Sequence, residues 1–295
     1  MKHVISMLDV KDALHDIIDD AIDMKRHGHG KDMEDCILAM IFEKSSTRTR
    51  VSFEAGMRRL GGYAIFLGKD DIQLGRGETI EDTALVLSRY ADLIMYRAFS
   101  HADMVELARH ATVPVISGLD DEEHPCQVIT DLMTIKEHKG HLDGLHLAYY
   151  GDGNNNMANS LMLGAAMTGM KMTLVAPKPF WPSEKYLGMA RERGDVEVTE
   201  LHGDAGSGAD VVVTDTWVSM GDEAEKQDRL QMLEGYTVDE DVMARAAADA
   251  IFMHCLPAYY GNEVTKEVAH GPQSVIFDEA ENRMWAQMAI MKWLL

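Results

Sequence analysis

The chain has 295 residues, 46% of them hydrophobic, enough to bury the cores of two domains of ordinary size. Acidic residues outnumber basic ones 49 to 28, and the resulting formal charge of −21 repels nucleic acid and anionic lipid, so neither is an expected partner. No apolar run approaches the ~20 residues of a membrane span, and the start, M-K-H-V-I-S-M-L-D-V-K-D, carries charges where a secretory signal needs its apolar stretch. Cys36, Cys126 and Cys255 are widely separated, which suggests reduced thiols, no disulfide framework and no metal site, and the expected location is cytoplasmic. The acidic excess, spread over residues 9–23, 120–123, 222–228 and 239–241, reads as a solvated skin resembling that of proteins from salt-rich cytoplasm.

Residues 7–25 carry Leu8, Leu14, Ile17, Ile18, Ala21 and Ile22 at helical spacing, predicting an amphipathic helix with an acidic outer face. His27 and His29, in H-G-H-G, read as solvated rather than as metal ligands. An apolar run at 36–42 and another at 63–67 have strand length, and between them E-K-S-S-T-R-T-R-V-S-F-E-A-G-M-R-R-L (43–60) reads as a loop turning into a helix. Together they make a βαβ unit with the loop at the carboxyl end of its first strand. Ser45, Ser46 and Thr47 are candidate caps for the first turn, whose free amides and partial positive charge attract a phosphate, and Arg48 and Arg50 add full charges. Residues two apart on a helix point roughly 200° apart, so Arg48 is expected to face the anion and Arg50 to have a structural partner. Taken alone, S-T-R fits equally a Ser/Thr cap with solvated arginines.

The polar, glycine-spaced stretch 68–83 reads as a flexible loop leading into a helix over 80–90 with Thr79 as its cap. A strand follows at 93–96, with Arg97 at its carboxyl end, where α/β sheets place ligand groups. Residues 113–116 form the last strand of this half, H-P-C-Q (124–127) a loop, and 129–139 a helix.

The second half opens with a strand at 145–150, a G-D-G-N-N-N turn and a helix over 157–170. Asn156 stands where a dinucleotide-binding fingerprint needs its third glycine, which argues against nucleotide binding. Further strands at 171–175, 196–200, 210–214 and 250–254, with helices between, predict a second parallel sheet. Asn156, the D-T-W-V-S-M-G loop (215–221) and the H-C-L-P loop (254–257) all fall beyond carboxyl ends of strands, the face on which open α/β sheets bind ligands. The first half carries residues 46–49, Arg97 and His124 on the same face. The expected fold is therefore α/β, two doubly wound parallel-sheet domains with the active site in the cleft between them. The first covers 1–130 and the second 131–275, with a C-terminal helix at about 276–295 packing back on the first.

S-T-R-T-R followed by V-S-F-E, then H-P-C-Q, D-T-W-V-S-M-G, H-C-L-P and A-E-N-R (280–283) occur in the order found in ornithine carbamoyltransferases, and the chain resembles that family along nearly its whole length. The resemblance implies carbamoyl transfer from carbamoyl phosphate to L-ornithine, or the reverse in arginine breakdown, with no cofactor and no metal. It implies catalytic roles for Arg97, His124 and Cys255. On the same basis carbamoyl phosphate is held by Ser46, Thr47, Arg48, Thr49, Gln73, Arg97 and Arg283, by the run His124, Pro125, Cys126 and Gln127, and by Cys255 and Leu256. In it His124 donates to the carbamoyl oxygen and Gln127 binds the carbamoyl NH2. The family often has threonine where Cys126 stands, and no thiol chemistry is inferred there. Asp215 and Cys255 flank the ornithine side-chain amine, while Asn156, Ser219 and Met220 hold its amino-acid end. The resemblance also implies a homotrimer or a multiple of trimers, with the 68–83 loop and Gln73 completing a neighbour's site.

Such a transfer needs the anion held, the carbonyl polarised and a deprotonated amine supplied. Ser46, Thr47, Arg48, Thr49 and Arg97 suit the phosphate, and Thr49, Arg97 and His124 can aim donors at the carbonyl oxygen, where charge develops. Cys255 beside His254 also fits a covalent nucleophile; adjacent residues at a strand end point to opposite sides, which favours an orienting thiol with His254 turned away. The competing readings are a carbamoyltransferase for aspartate or another amine, a phosphate-ester enzyme, and a non-catalytic anion-binding module. An aspartate enzyme would want a positive group for the second carboxylate, whereas Asp215 and Cys255 suit an amine.

Overall fold

The computed structural model describes residues 1–74, 77–201, 204–218 and 226–295. The chain divides into two compact units, Met1–Met133 with Glu281–Leu295, and Thr134–Ala280. The helices Pro125–Lys139 and Ile276–Leu294 run through the sequence boundaries between them. No helix among the described residues is long and apolar enough to cross a membrane.

In the first unit the strands β1 (Ile37–Phe42), β2 (Tyr63–Gly68), β3 (Leu93–Arg97) and β4 (Val115–Leu119) form one parallel sheet in the order β2-β1-β3-β4. Parallel strands covered on both faces need continuous apolar runs rather than alternation, and I-L-A-M-I-F of β1 supplies one. Its alternate residues Ala39 and Ile41, with Ile94 and Tyr96 of β3, pack with Ala84, Met104 and Leu107 of the helices Ile80–Leu87 and His101–His110. Each large side chain buried there stabilises the unit by roughly 1.5–3 kcal/mol. The chain goes out from β1 to β2 and then returns past β1 to β3, so the order reverses between β1 and β3. In an open α/β sheet that reversal leaves a crevice at the strands' carboxyl ends.

The second unit repeats the plan with β5 (His146–Tyr150), β6 (Lys171–Val175), β7 (Val196–Thr199), β8 (Val211–Thr214) and β9 (Ile251–Met253), all parallel, in the order β7-β6-β5-β8-β9. Its reversal lies between β5 and β8. One core packs Ala148, Tyr150, Val212 and Phe252 with Val242, Val264, Val268 and Ile276.

The two sheets are those expected, and three local expectations are corrected. Residues 7–25 are not one helix. Ser6 accepts the Leu8 N–H, and Asp9 accepts the N–H groups of Ile5 and Ser6 at 2.9 Å, which closes a separate turn at Met7–Val10 before the helix Leu14–His27 begins. The strand read at 113–116 starts only after Pro114, which has no N–H to give the ladder, and it continues to Leu119. H-P-C-Q is not a loop: Pro125 opens the helix Pro125–Lys139, at the position where a missing N–H is harmless, and the His124 carbonyl accepts from Gln127 and Val128.

Candidate active site

In the first unit the chain leaves β1 at Phe42 and enters the helix Thr47–Arg59 through Ser46, whose backbone is extended and whose Oγ accepts the Thr49 N–H at 3.3 Å. Thr49 is fully buried, and its Oγ1 is the point on which the site converges. Ser46 Oγ lies 3.0 Å away, Arg283 Nη2 donates to it at 2.8 Å and Arg97 Nη1 at 3.5 Å. Arg97 ends β3 across the sheet's point of reversal, paired in register with Phe42. The register of β3 against β4 shifts there, and Gly118, where a Cβ would stand 2.5 Å from Met95 Sδ, offers its carbonyl to Arg97 Nη1 at 3.1 Å. Arg97 and Arg283 are only 5% and 4% exposed. Two buried guanidinium groups thus meet at one hydroxyl, an arrangement that suits an anion.

Arg48 is half-buried in the first turn of that helix. Arg50 has the structural partners expected of it, its Nε donating to Glu54 Oε1 at 2.9 Å and its guanidinium lying 3.8 Å from the Phe66 ring centroid. Gln73 is exposed on the segment after β2, and among the described residues no hydrogen bond joins its side chain to the Thr49 cluster.

His124 is buried at the start of the helix Pro125–Lys139. Burial first, then the positive charges of Arg283 and Arg97, hold its pKa well below the usual imidazole range. A neutral imidazole can still donate through its N–H. Gln127 is buried with its Nε2 held by Asp131 Oδ1 at 2.8 Å, which orients the amide. Burial pushes the Cys126 thiol up to about 12, so it stays a thiol at neutral pH.

The acidic run before His124 is not the solvated skin it resembles in sequence. Asp120 and Glu123 are buried. Asp120 accepts the Glu122 and Glu123 N–H groups and pairs with His101 Nδ1 at 2.9 Å, while Glu123 accepts Ser6 Oγ–H at 2.6 Å and the Met7 N–H at 2.9 Å. Two carboxylates read as surface, Asp120 and Glu123, thus fix the turn that feeds His124, while Asp121 is exposed as expected.

The low pKa of His124 makes a stability prediction. The unfolded chain takes up a proton at this residue near ~6.5 while the folded one resists it, so stability is full above that value and falls as pH drops through it. The melting temperature of the wild type is expected to drop more steeply than that of His124→Gln between about pH 7.5 and about pH 5.5. Parallel slopes in the two scans would show that His124 is not the group responsible.

In the second unit Asn155 caps the helix Asn156–Met167, its Oδ1 accepting the Ala158 N–H at 2.8 Å, which sets half-buried Asn156 at the first helical position after β5. Asp215 stands just beyond β8, buried, and Cys255 Sγ donates to its Oδ1 at 3.2 Å. Burial raises the Asp215 pKa, opposed by His254 and by the Cys255 hydrogen bond. His254 is not turned away as strand alternation predicts, because β9 stops at Met253 and the alternation does not reach it. Its ring accepts the Leu256 N–H on Nδ1 at 2.9 Å, which leaves the proton on Nε2, 3.4 Å from the buried Glu263. The His254 N–H is held by Glu279 at 2.9 Å. One donor atom from each of Asp215, His254 and Cys255 falls within 4.8 Å of the others, a spacing that suits either a soft divalent cation or an amine. Ser219 and Met220 lie outside the described residues.

Each unit therefore carries its polar groups at its own sheet's point of reversal, cationic and hydroxylic in the first, acidic with a thiol in the second. Comparison with known proteins agrees with that division. The carbamoyl-P binding domain of the aspartate/ornithine carbamoyltransferases matches residues 2–137, and the Asp/Orn binding domain matches residues 143–294. The chain belongs to the aspartate/ornithine carbamoyltransferase family. It is 50% identical to the ornithine carbamoyltransferase of Picrophilus torridus, over 100% of this chain and 99% of that one. It is 46% identical to the catabolic ornithine carbamoyltransferase of Thermoplasma volcanium, over 100% and 98%. The fold superposes on the ornithine carbamoyltransferase of Pyrococcus furiosus with a TM-score of 0.93 at 44% identity, covering 98% of this chain and 96% of that one. On the anabolic enzyme of Campylobacter jejuni the TM-score is 0.94 at 39% identity, covering 100% and 99%.

Proposed function

We propose that this chain transfers the carbamoyl group of carbamoyl phosphate to the side-chain amine of L-ornithine, giving L-citrulline and phosphate. The observation that carries the reading is the convergence of Ser46, Arg97 and Arg283 on Thr49 Oγ1 at the first unit's point of reversal. It gathers hydroxyls and two buried guanidinium groups, the donor set for a phosphate group. Thr47 and Arg48 extend that set along the first turn, and His124, neutral, donates to the carbamoyl oxygen, where charge grows as the carbonyl becomes tetrahedral. Gln127, its NH2 tied to Asp131, offers its oxygen to the carbamoyl NH2.

The second unit receives the amine. Asp215 and Cys255 accept its N–H groups and aim the nitrogen lone pair, and Asn156, with Ser219 and Met220, holds the amino-acid end. As the C–N bond forms, the C–O bond to phosphate breaks, and the proton lost by nitrogen passes to the departing phosphate. The same contacts serve the reverse reaction, in keeping with relatives designated anabolic and catabolic. No group in this scheme needs a cofactor.

The test is phosphate release from carbamoyl phosphate with a panel of amines. Ornithine is expected to exceed lysine, putrescine and aspartate in kcat/KM by at least about a hundredfold, the discrimination available to a site that must pair buried polar groups. Aspartate as the best acceptor would overturn the choice of substrate.

A cytoplasmic homotrimer that needs salt completes the reading. The apolar side chains Tyr63 and Ile65 on the edge strand β2 and Leu85 and Val86 on the helix Ile80–Leu87 are exposed, which supports a subunit contact on the first unit. A charge of −21 opposes both folding and assembly when the screening length is ~30 Å at 0.01 M, and much less when it is ~3 Å at 1 M. Melting temperature and light-scattering mass are expected to rise together from dilute buffer to molar KCl. A flat melting curve would reject salt dependence, and an active monomer would reject the shared Gln73.

A further inference from the structure

Arg229 belongs to the polar helix Lys226–Leu233, K-Q-D-R-L-Q-M-L, where an arginine is expected to reach into solvent. Its side chain is instead 13% exposed and faces inward to three groups. Nη2 forms a short ion pair with Asp152, Nε donates to the Trp217 carbonyl at 2.9 Å, and the guanidinium lies 4.9 Å from the Phe180 ring centroid. Asp152 sits in the G-D-G turn after β5, and its carboxylate is 2% exposed. Its Oδ1 accepts the Asn154 N–H at 2.9 Å, and its carbonyl accepts from Tyr149 Oη and Asn155 Nδ2, both at 3.0 Å. Asn155 in turn caps the helix that begins at Asn156.

On the other side, Trp217 follows Asp215 by two residues in the segment after β8. A Cβ at Gly151, where φ is +115°, would come within 2.7 Å of Trp217 Nε1, so the turn and the indole are packed in contact. One guanidinium therefore ties the turn that places Asn156 to the segment that places Asp215, across the second sheet's point of reversal.

We infer that Arg229 and Asp152 form a positioning pair for the amine substrate, holding Asn156 and Asp215 at a fixed separation. The inference rests on the substrate reading above. The bonds described above join Arg229 and Asp152 to no group assigned to carbamoyl phosphate, and apart from Cys255 and Leu256 those groups belong to the first unit. An exposed ion pair contributes little, but one this buried has a fixed geometry, and lysine cannot reproduce a fork that bonds a carbonyl and a carboxylate at once.

The experiment measures KM for ornithine, KM for carbamoyl phosphate, kcat and melting temperature in the wild type and in Arg229→Gln, Arg229→Lys and Asp152→Asn. The expected result is an ornithine KM raised roughly tenfold or more in Arg229→Gln, the scale of loss when a positioned group is displaced. The rise should be smaller in Arg229→Lys, with carbamoyl phosphate KM within about a factor of two of wild type in all three. A brace that only stabilises the fold would lower the melting temperature and the active fraction while leaving both KM values in place, and that result overturns the inference. So does an equal rise in both KM values. If Arg229→Gln does not fold, Arg229→Lys, which keeps the charge, decides between the same outcomes. A wild type inactive with ornithine would refute the substrate reading and this inference together, whereas an active wild type with unshifted variants refutes the inference alone.

Discussion

Arg97→Ala is expected to yield a folded protein that has all but lost the turnover of carbamoyl phosphate. The guanidinium is buried at the carboxyl end of β3 and reaches both Gly118 O and Thr49 Oγ1, so it is aimed rather than mobile. A hydrogen bond to a charged group contributes roughly 1.5–3 kcal/mol, and each ~1.4 kcal/mol is a factor of ten in rate. One lost contact therefore lowers kcat/KM by roughly ten- to a hundredfold or more, and the loss grows because Thr49 Oγ1 loses one of the two guanidinium groups that hold it. Arg97→Lys should fall between, since it returns the charge without the fork. Arg48→Ala removes a half-buried charge from the same turn and should be impaired in the same sense. Cooperative melting with near-normal phosphate release in both alanine variants would remove the basis for the phosphate assignment.

Asp215→Ala is expected to have the second largest effect, and it should be selective. Asp215 accepts from Cys255 Sγ, and it is the buried carboxylate nearest that thiol on the unit assigned to the amine. Its loss removes the acceptor that orients the nucleophile, and a misplaced nucleophile costs on the order of a hundredfold in rate. Carbamoyl phosphate binding should be kept. Cys255→Ala should be milder, because an orienting thiol is dispensable in a way that a covalent nucleophile is not. Parallel initial-rate lines of the ping-pong kind, or a trapped carbamoyl-cysteine, would make Cys255 the nucleophile and reverse the order of the two variants.

Both sheets were legible in the sequence because buried parallel strands are short apolar runs between turn residues; the cap at Thr79 follows from a hydroxyl placed before a helical pattern, and of the three candidates Ser45, Ser46 and Thr47 it is Ser46 that caps. Local chemistry competing with periodicity produced the misreadings. Asp9 closing back on the N–H groups of Ile5 and Ser6 breaks a helix that the apolar spacing continues, and Pro125 starts one where H-P-C-Q looks like a loop. Long-range pairing was invisible for a different reason. In a chain this acidic, Asp120, Glu123, Asp152 and Glu263 look like any other surface carboxylate. Only folding brings Ser6 to Glu123, Arg229 to Asp152 and His254 to Glu263. Thr49 was read as one hydroxyl among several in S-T-R-T-R, whereas its burial beneath two arginines makes it the centre of that group.

The central claim is transfer of a carbamoyl group to ornithine, and product stoichiometry tests it most directly. Purified protein given carbamoyl phosphate and L-ornithine should form citrulline and inorganic phosphate in equal amounts, and neither product in excess of the slow uncatalysed breakdown when ornithine is left out. Phosphate released without citrulline would mark a phosphate-ester enzyme. Saturable binding of carbamoyl phosphate with no product at all would mark an anion-binding module, and either result would contradict the account.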